Sequence, residues 1–199
     1  MNAARRPPKG GVKLPYYTLD EVAESTEAQA KADKALAVRC VGGLTQYAAE
    51  LRQKAGPGAQ ERIQALRELV GCLASYWGLE DEPGGMDEAG CREAFDRRLA
   101  EAGEADRPWS PTPEQKSDTV CGLYRYAMDL IPNLGVEAEK DILGSRDLIR
   151  EIEQFWDLAS PTLDQMCAGI ETAMQAQAAR EAEFEMKVSQ SSKNGMFMG

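Results

Sequence analysis

The sequence predicts an all-α protein: a helical bundle of five to seven helices with a flexible N-terminal arm and a flexible C-terminal tail. Apolar residues recur at spacings of three and four in several separate segments. No strand-length run alternates cleanly between apolar and polar residues, and there is neither a fixed-period repeat nor a sustained heptad series. With 199 residues, 43% hydrophobic and 28% charged, the chain can form one domain with a substantial core or two small helical units.

Residues 1–15 contain two adjacent prolines, two adjacent glycines and Pro15, a composition that buries little and predicts a basic, disordered arm over residues 1–17. Thr18 precedes Leu19-Asp20-Glu21, an N-cap hydroxyl with acids in the first turn and Glu21 at the capping-box position, so a helix starts there. Residues 23–35, rich in alanine and charge, are compatible with a separate helix. From Leu36 onward, Leu36, Cys40, Leu44, Tyr47 and Leu51 share one helical face, with Gly42-Gly43 as a point where the middle can loosen.

Gly56-Pro57-Gly58 breaks the chain. Ile63, Leu66, Val70, Leu73 and Trp77 then define the clearest amphipathic helix, which ends at Gly78 and folds back antiparallel on the helix before it as an αα-hairpin. Residues 80–90 form an acidic loop. A polar surface helix over 87–103 follows, anchored by Ala89, Phe95 and Leu99.

Pro108, Pro111 and Pro113 bracket Trp109 in a linker, 106–113, that is the candidate boundary between an N-terminal helical part, 18–105, and C-terminal helices over 114–187. In the second part, Val120, Leu123, Tyr124, Ala127 and Ile131 form a helical stripe ended by Pro132, and Ile142, Ile149, Ile152 and Trp156 form another within 138–158. Ser160-Pro161-Thr162 interrupts, and proline suits the first turn of the helix that follows. That helix carries Leu163, Cys167, Ile170 and Met174; residues 175–187 keep good helix formers but little apolar face, so this half projects into solvent or meets another chain. Residues 188–199 read as a flexible tail, with Met196, Phe197 and Met198 as its unusual feature.

The chain has no histidine, which removes the commonest general base, Ser-His and Cys-His nucleophile pairs and imidazole metal ligands. Glu181, Glu183 and Glu185, or Asp147 and Glu151, have spacings that arise often on solvated faces of acidic helices, and they are read as such rather than as ligands. Neither GxGxxG nor GxxxxGK[ST] is present. The expectation is a protein without enzymatic activity, cofactor, metal or small-molecule substrate.

Five cysteines without a CxxC pair suit neither a disulfide framework nor a zinc site; reduced thiols and a cytoplasmic location fit them. Cys40 and Cys167 fall within apolar stripes and read as buried hydrophobes, whereas Cys91 beside Arg92 is the candidate for reactivity. Trp77 and Trp156 read as core anchors; Trp109 either caps the core or presents a contact surface. No apolar segment follows the opening basic residues and no stretch approaches the ~18 apolar residues of a membrane span, so neither a cleaved signal nor membrane insertion is expected.

The net charge is −10, but Arg5, Arg6, Lys9 and Lys13 occur with no acid in the first thirteen residues, leaving the remainder at −14. That balance opposes general attraction to nucleic acid. The function expected is protein–protein interaction, as an adaptor or assembly protein, through self-association or another protein. Two contact surfaces stand out: Arg180, Phe184 and Met186 on the last helix, and the acidic stretch Glu80, Asp81, Glu82, Asp87 and Glu88. The acidic stretch also supports an alternative, an inhibitor that binds a nucleic-acid-handling protein by charge mimicry.

A further alternative is DNA binding through the N-terminal region. Tyr16–Glu24 resembles the first helix of a MerR-type helix-turn-helix, preceded by the basic arm. The resemblance covers about nine residues; the acidic, alanine-rich run after it lacks the glycine-containing turn and basic recognition helix that such a motif needs.

Overall fold

A computed structural model of the chain describes residues 19–81, 85–104, 110–158 and 161–195. Every regular element among them is helical. The α-helices are α1 (Leu19–Ala55), α2 (Gln60–Tyr76), α3 (Glu88–Glu104), α4 (Pro113–Leu134), α5 (Glu139–Trp156) and α6 (Pro161–Gly195), joined in places by short 3-10 turns. The chain divides into two units, Met1–Ala32 and Asp33–Gly199. Of the first, the described part is the opening of α1, from Leu19. Both sides of the 106–113 segment belong to the second, and the described end of that segment leads directly into α4. The Thr112 hydroxyl accepts from the Gln115 amide at 3.3 Å and the Gln115 side chain accepts from the Thr112 amide at 2.9 Å, a complete capping box with Pro113 at the first helical position.

The apolar stripes bury in the second unit: Cys40, Leu44 and Tyr47 on α1; Ile63, Leu66, Val70 and Leu73 on α2; Val120, Leu123, Ala127 and Ile131 on α4; Ile142, Ile149, Ile152 and Trp156 on α5; Leu163, Cys167, Ile170 and Met174 on α6. α4 packs on α5 and α6, α5 also packs on α6, and α3 lies along α2. At roughly 1.5–3 kcal/mol for each large aliphatic side chain taken fully out of water, this core is the main favourable contribution to the fold.

Several local expectations are corrected. Residues 23–35 are not a separate helix: α1 runs unbroken from Leu19 to Ala55, because no breaker precedes Gly42 and Gly43 packs closely on Thr119. Pro132 does not end α4. It sits in the last turn, and the helix stops at Gly135, whose φ of 55° with ψ of −131° is a positive-φ conformation open to glycine and strained for other residues. Ala89 is exposed on α3; Cys91, one turn before Phe95, is the buried anchor, so the α3 contact with α2 uses Cys91, Phe95 and Leu99. The reactivity expected of Cys91 is not supported by its surroundings. Its thiol is buried, pushed above the usual range by burial and then by Asp87 and Glu80, while Arg92 pairs with Glu68 and Glu88. α6 continues to Gly195, past the point where a tail was expected, since residues 188–194 contain no glycine or proline. The arm over 1–17, Trp109, Glu82 and Met196–Met198 lie outside the described residues.

Two glycines set the approach of α1 to α4. A Cβ at Gly43 would stand 1.8 Å from Thr119 Oγ1, and a Cβ at Gly122 would stand 2.4 Å from Cys40 Cβ. Each helix thus offers a missing side chain to a residue of the other. The Cys40 thiol donates to the Thr119 carbonyl at 3.4 Å, and burial pushes that thiol far above its ordinary range. At the other end of the unit, Tyr47 makes edge contacts with Phe155 at 5.0 Å and Trp156 at 5.7 Å, and the Trp156 indole donates to Glu50 at 3.1 Å. α2 returns to the same place, where Arg62 stands near the Tyr47 hydroxyl and pairs with Glu151.

The neighbouring glycines of α1 respond oppositely to the same change. A Cβ at Gly42 meets nothing within 4 Å. Gly42→Ala should therefore gain about 0.5–1 kcal/mol from helix propensity. Gly43→Ala should lose about 1–3 kcal/mol, because Thr119 is buried and hydrogen-bonded to the Gln115 carbonyl at 2.7 Å. Urea midpoints measured for the two variants and the parent test the pair.

Candidate functional site

The most unusual surface lies where α6 crosses the turn between α4 and α5. Gly135 reverses the chain after Leu134, and the 3-10 turn Gly135–Ala138 buries its first and last residues, Gly135 and Ala138. In a three-residue-per-turn helix those positions lie one above the other, so the residues between them face out. Val136 and Glu137 are accordingly exposed, and Leu134 beside them is 50% exposed.

α6 supplies the opposite wall. Gln177, Arg180, Glu181, Phe184 and Glu185 recur at three- and four-residue intervals and face the turn, enclosing with Leu134, Val136 and Glu137 a groove of about 460 Å³. Glu181 seats the helix: a Cβ at Gly135 would stand 2.0 Å from its Oε1, which accepts from the Gln177 amide at 2.9 Å. Gly135 is therefore required for its positive φ, and the end of the Glu181 side chain lies against it. Beyond Glu181 the described side chains of α6, Ala182 through Val188, are all exposed, yet the helix continues to Gly195. That stretch extends roughly 21 Å.

Among the described residues the exposed large hydrophobics are Val38, Tyr76, Met86, Leu134, Val136, Phe184, Met186 and Val188. Leu134, Val136 and Phe184, at 50%, 46% and 69% exposure, converge on this one groove. Single exposed apolar residues are ordinary on a protein surface, whereas here three share one concavity. Glu137, Glu181 and Glu185 rim it, with Arg180 as the basic group among the lining residues.

Of the residues singled out on the last helix, Arg180 and Phe184 enter this groove. Met186 does not: two positions after Phe184 it points about 200° around the helix, and it is 58% exposed away from the groove. Leu134, Val136, Glu137, Gln177, Glu181 and Glu185 were missed. The available signal was an apolar residue on each side of Gly135, directly after Pro132, where a turn would hold them outward.

The acidic stretch is dispersed. Glu80 and Asp81 are exposed in the 3-10 turn Leu79–Asp81. Asp87 caps α3, accepting from the Gly90 amide at 2.7 Å, and Glu88 pairs with Arg92, which also bonds Glu68 at 2.8 Å. Asp96, further along α3, is held by Arg67 at 2.9 Å. Arginines of α2 and α3 thus answer part of this charge. Among the described residues no three His, Cys, Asp or Glu side chains converge to hold a metal ion, and no helix is long and apolar enough to cross a membrane.

No protein-family model, no curated protein and no solved structure matches the chain.

Gly135→Ala should lower stability by about 1–3 kcal/mol through the strained positive-φ backbone, and should also displace the Glu181 side chain. Thermal unfolding reads the first effect. Faster trypsin cleavage after Arg180, compared under native conditions with the parent, reads the second.

Proposed function

We propose that this chain is a non-enzymatic helical protein that works by binding another protein, as an adaptor or assembly component, and that the groove between α6 and the Gly135–Ala138 turn is its contact surface. The observation that carries the proposal is the convergence of Leu134, Val136 and Phe184, each about half exposed or more, on one acid-rimmed concavity. Keeping three large apolar groups about half in water forgoes burial worth on the order of 1 kcal/mol for each, and a covering partner recovers it. The overhang of α6 points the same way. Ala182 through Val188 expose their side chains along a helix that continues to Gly195, leaving a long polar face with Phe184 on it open to a partner. The absence of histidine from the sequence supports binding over catalysis. Free thiols at all five cysteines suit a cytoplasmic site of action.

A photo-crosslinking residue at Val136 or at Phe184, in the full chain expressed in its source cells, should give covalent adducts with protein. The same residue at Gln154, exposed near the far end of α5, should not. Equal adduct formation from all three positions, or from none, would contradict the assignment of this surface.

A further inference from the structure

We propose that the groove receives the basic arm, residues 1–17, of a second copy of this chain. The inference rests on the reading of the groove as a protein-binding surface and names the partner. The groove demands two properties of an occupant: apolar side chains to cover Leu134, Val136 and Phe184, and positive charge to meet a rim where Glu137, Glu181 and Glu185 outnumber Arg180.

The arm has both. Arg5, Arg6, Lys9 and Lys13 occur without an acid, and Val12, Leu14, Tyr16 and Tyr17 follow within a few residues. Pro7, Pro8 and Pro15 fall among them, and proline-containing segments are a common class of groove-binding peptide. The other segments outside the described residues lack the combination. Met196-Phe197-Met198 is apolar but carries no charge, Glu82 brings the wrong sign, and Asp106-Arg107 cancels.

Length permits exchange between copies. Seventeen extended residues span up to about 58 Å. That exceeds the roughly 52 Å of α6 itself, which has 35 residues. Each copy donates one arm and offers one groove, so two copies related by a two-fold axis satisfy both grooves at once and the assembly closes as a dimer. Opposite charge at the rim makes the pairing sensitive to charge reversal on either side.

Sedimentation equilibrium of the full chain should show a monomer–dimer equilibrium. Arg5→Glu, Arg6→Glu and Lys9→Glu together should weaken it about tenfold or more, the loss expected when several opposite-charge contacts become like-charge ones. Adding Glu137→Lys and Glu185→Lys, both at exposed positions of the rim, should restore it. A second readout is independent of these variants: a photo-crosslinker at Val136 should yield a covalent dimer in which the linked segment of the second chain lies within residues 1–17. A chain that remains monomeric at all concentrations, a dimer indifferent to reversal of the arm, or a crosslink to a different protein would overturn the inference. The last result would leave the groove as a protein-binding surface, whereas failure of any adduct to form would remove both.

Discussion

The structure depends on how closely α1 can lie on α4. Gly43 leaves room for Thr119, and Gly122 leaves room for Cys40, so the two helices interlock through absent side chains. The contact is then closed by the Cys40 thiol on the Thr119 carbonyl and, toward solvent, by Arg39 on Asp118 at 2.7 Å. Because close-packed interiors do not deform gradually, this spacing propagates. α4 is the helix on which α5 and α6 also pack, and its last residues become the turn that bears the groove. A seam of small residues deep in the unit thus fixes the position of an apolar surface near one end of it.

That surface has an energetic logic different from the core. In the core, Leu123, Ile142, Ile149 and Ile170 are buried completely. Around the groove, a 3-10 turn whose inward positions are Gly135 and Ala138 holds Val136 outward, so the local backbone forces the exposure. The glutamates beside it, Glu137, Glu181 and Glu185, rim the patch with charge. Glu181 serves both requirements, seating α6 on Gly135 and contributing to the rim.

Much of the fold was legible because helical periodicity reports burial directly. Cys40, Leu44 and Tyr47, or Ile142, Ile149 and Ile152, can be placed on one face by spacing alone, and these residues are buried. What escaped depends on contacts between residues far apart in sequence. Gly42 and Gly43 look alike in the sequence, yet one faces open space and the other Thr119. At the start of α3 the spacing was misjudged: Cys91, four positions before Phe95, shares its buried face, whereas Ala89 is turned away from it. Pro132 reads as a helix end, but a proline in the last turn costs little when a glycine three residues later performs the stop. The candidate site was half legible for the same reason. Arg180 and Phe184 stand out as a charged and an aromatic residue on a polar helix, whereas Leu134 and Val136 join them only through the crossing of α6 over the turn.

Hydrogen–deuterium exchange of the full-length protein over a concentration series tests the central claim, that another copy covers this groove, most directly. The account predicts that amides of the Gly135–Ala138 turn and of Gln177–Val188 gain protection as concentration rises, while those near Gln154 on α5 exchange at a constant rate. Exchange that is independent of concentration in all three regions would contradict it.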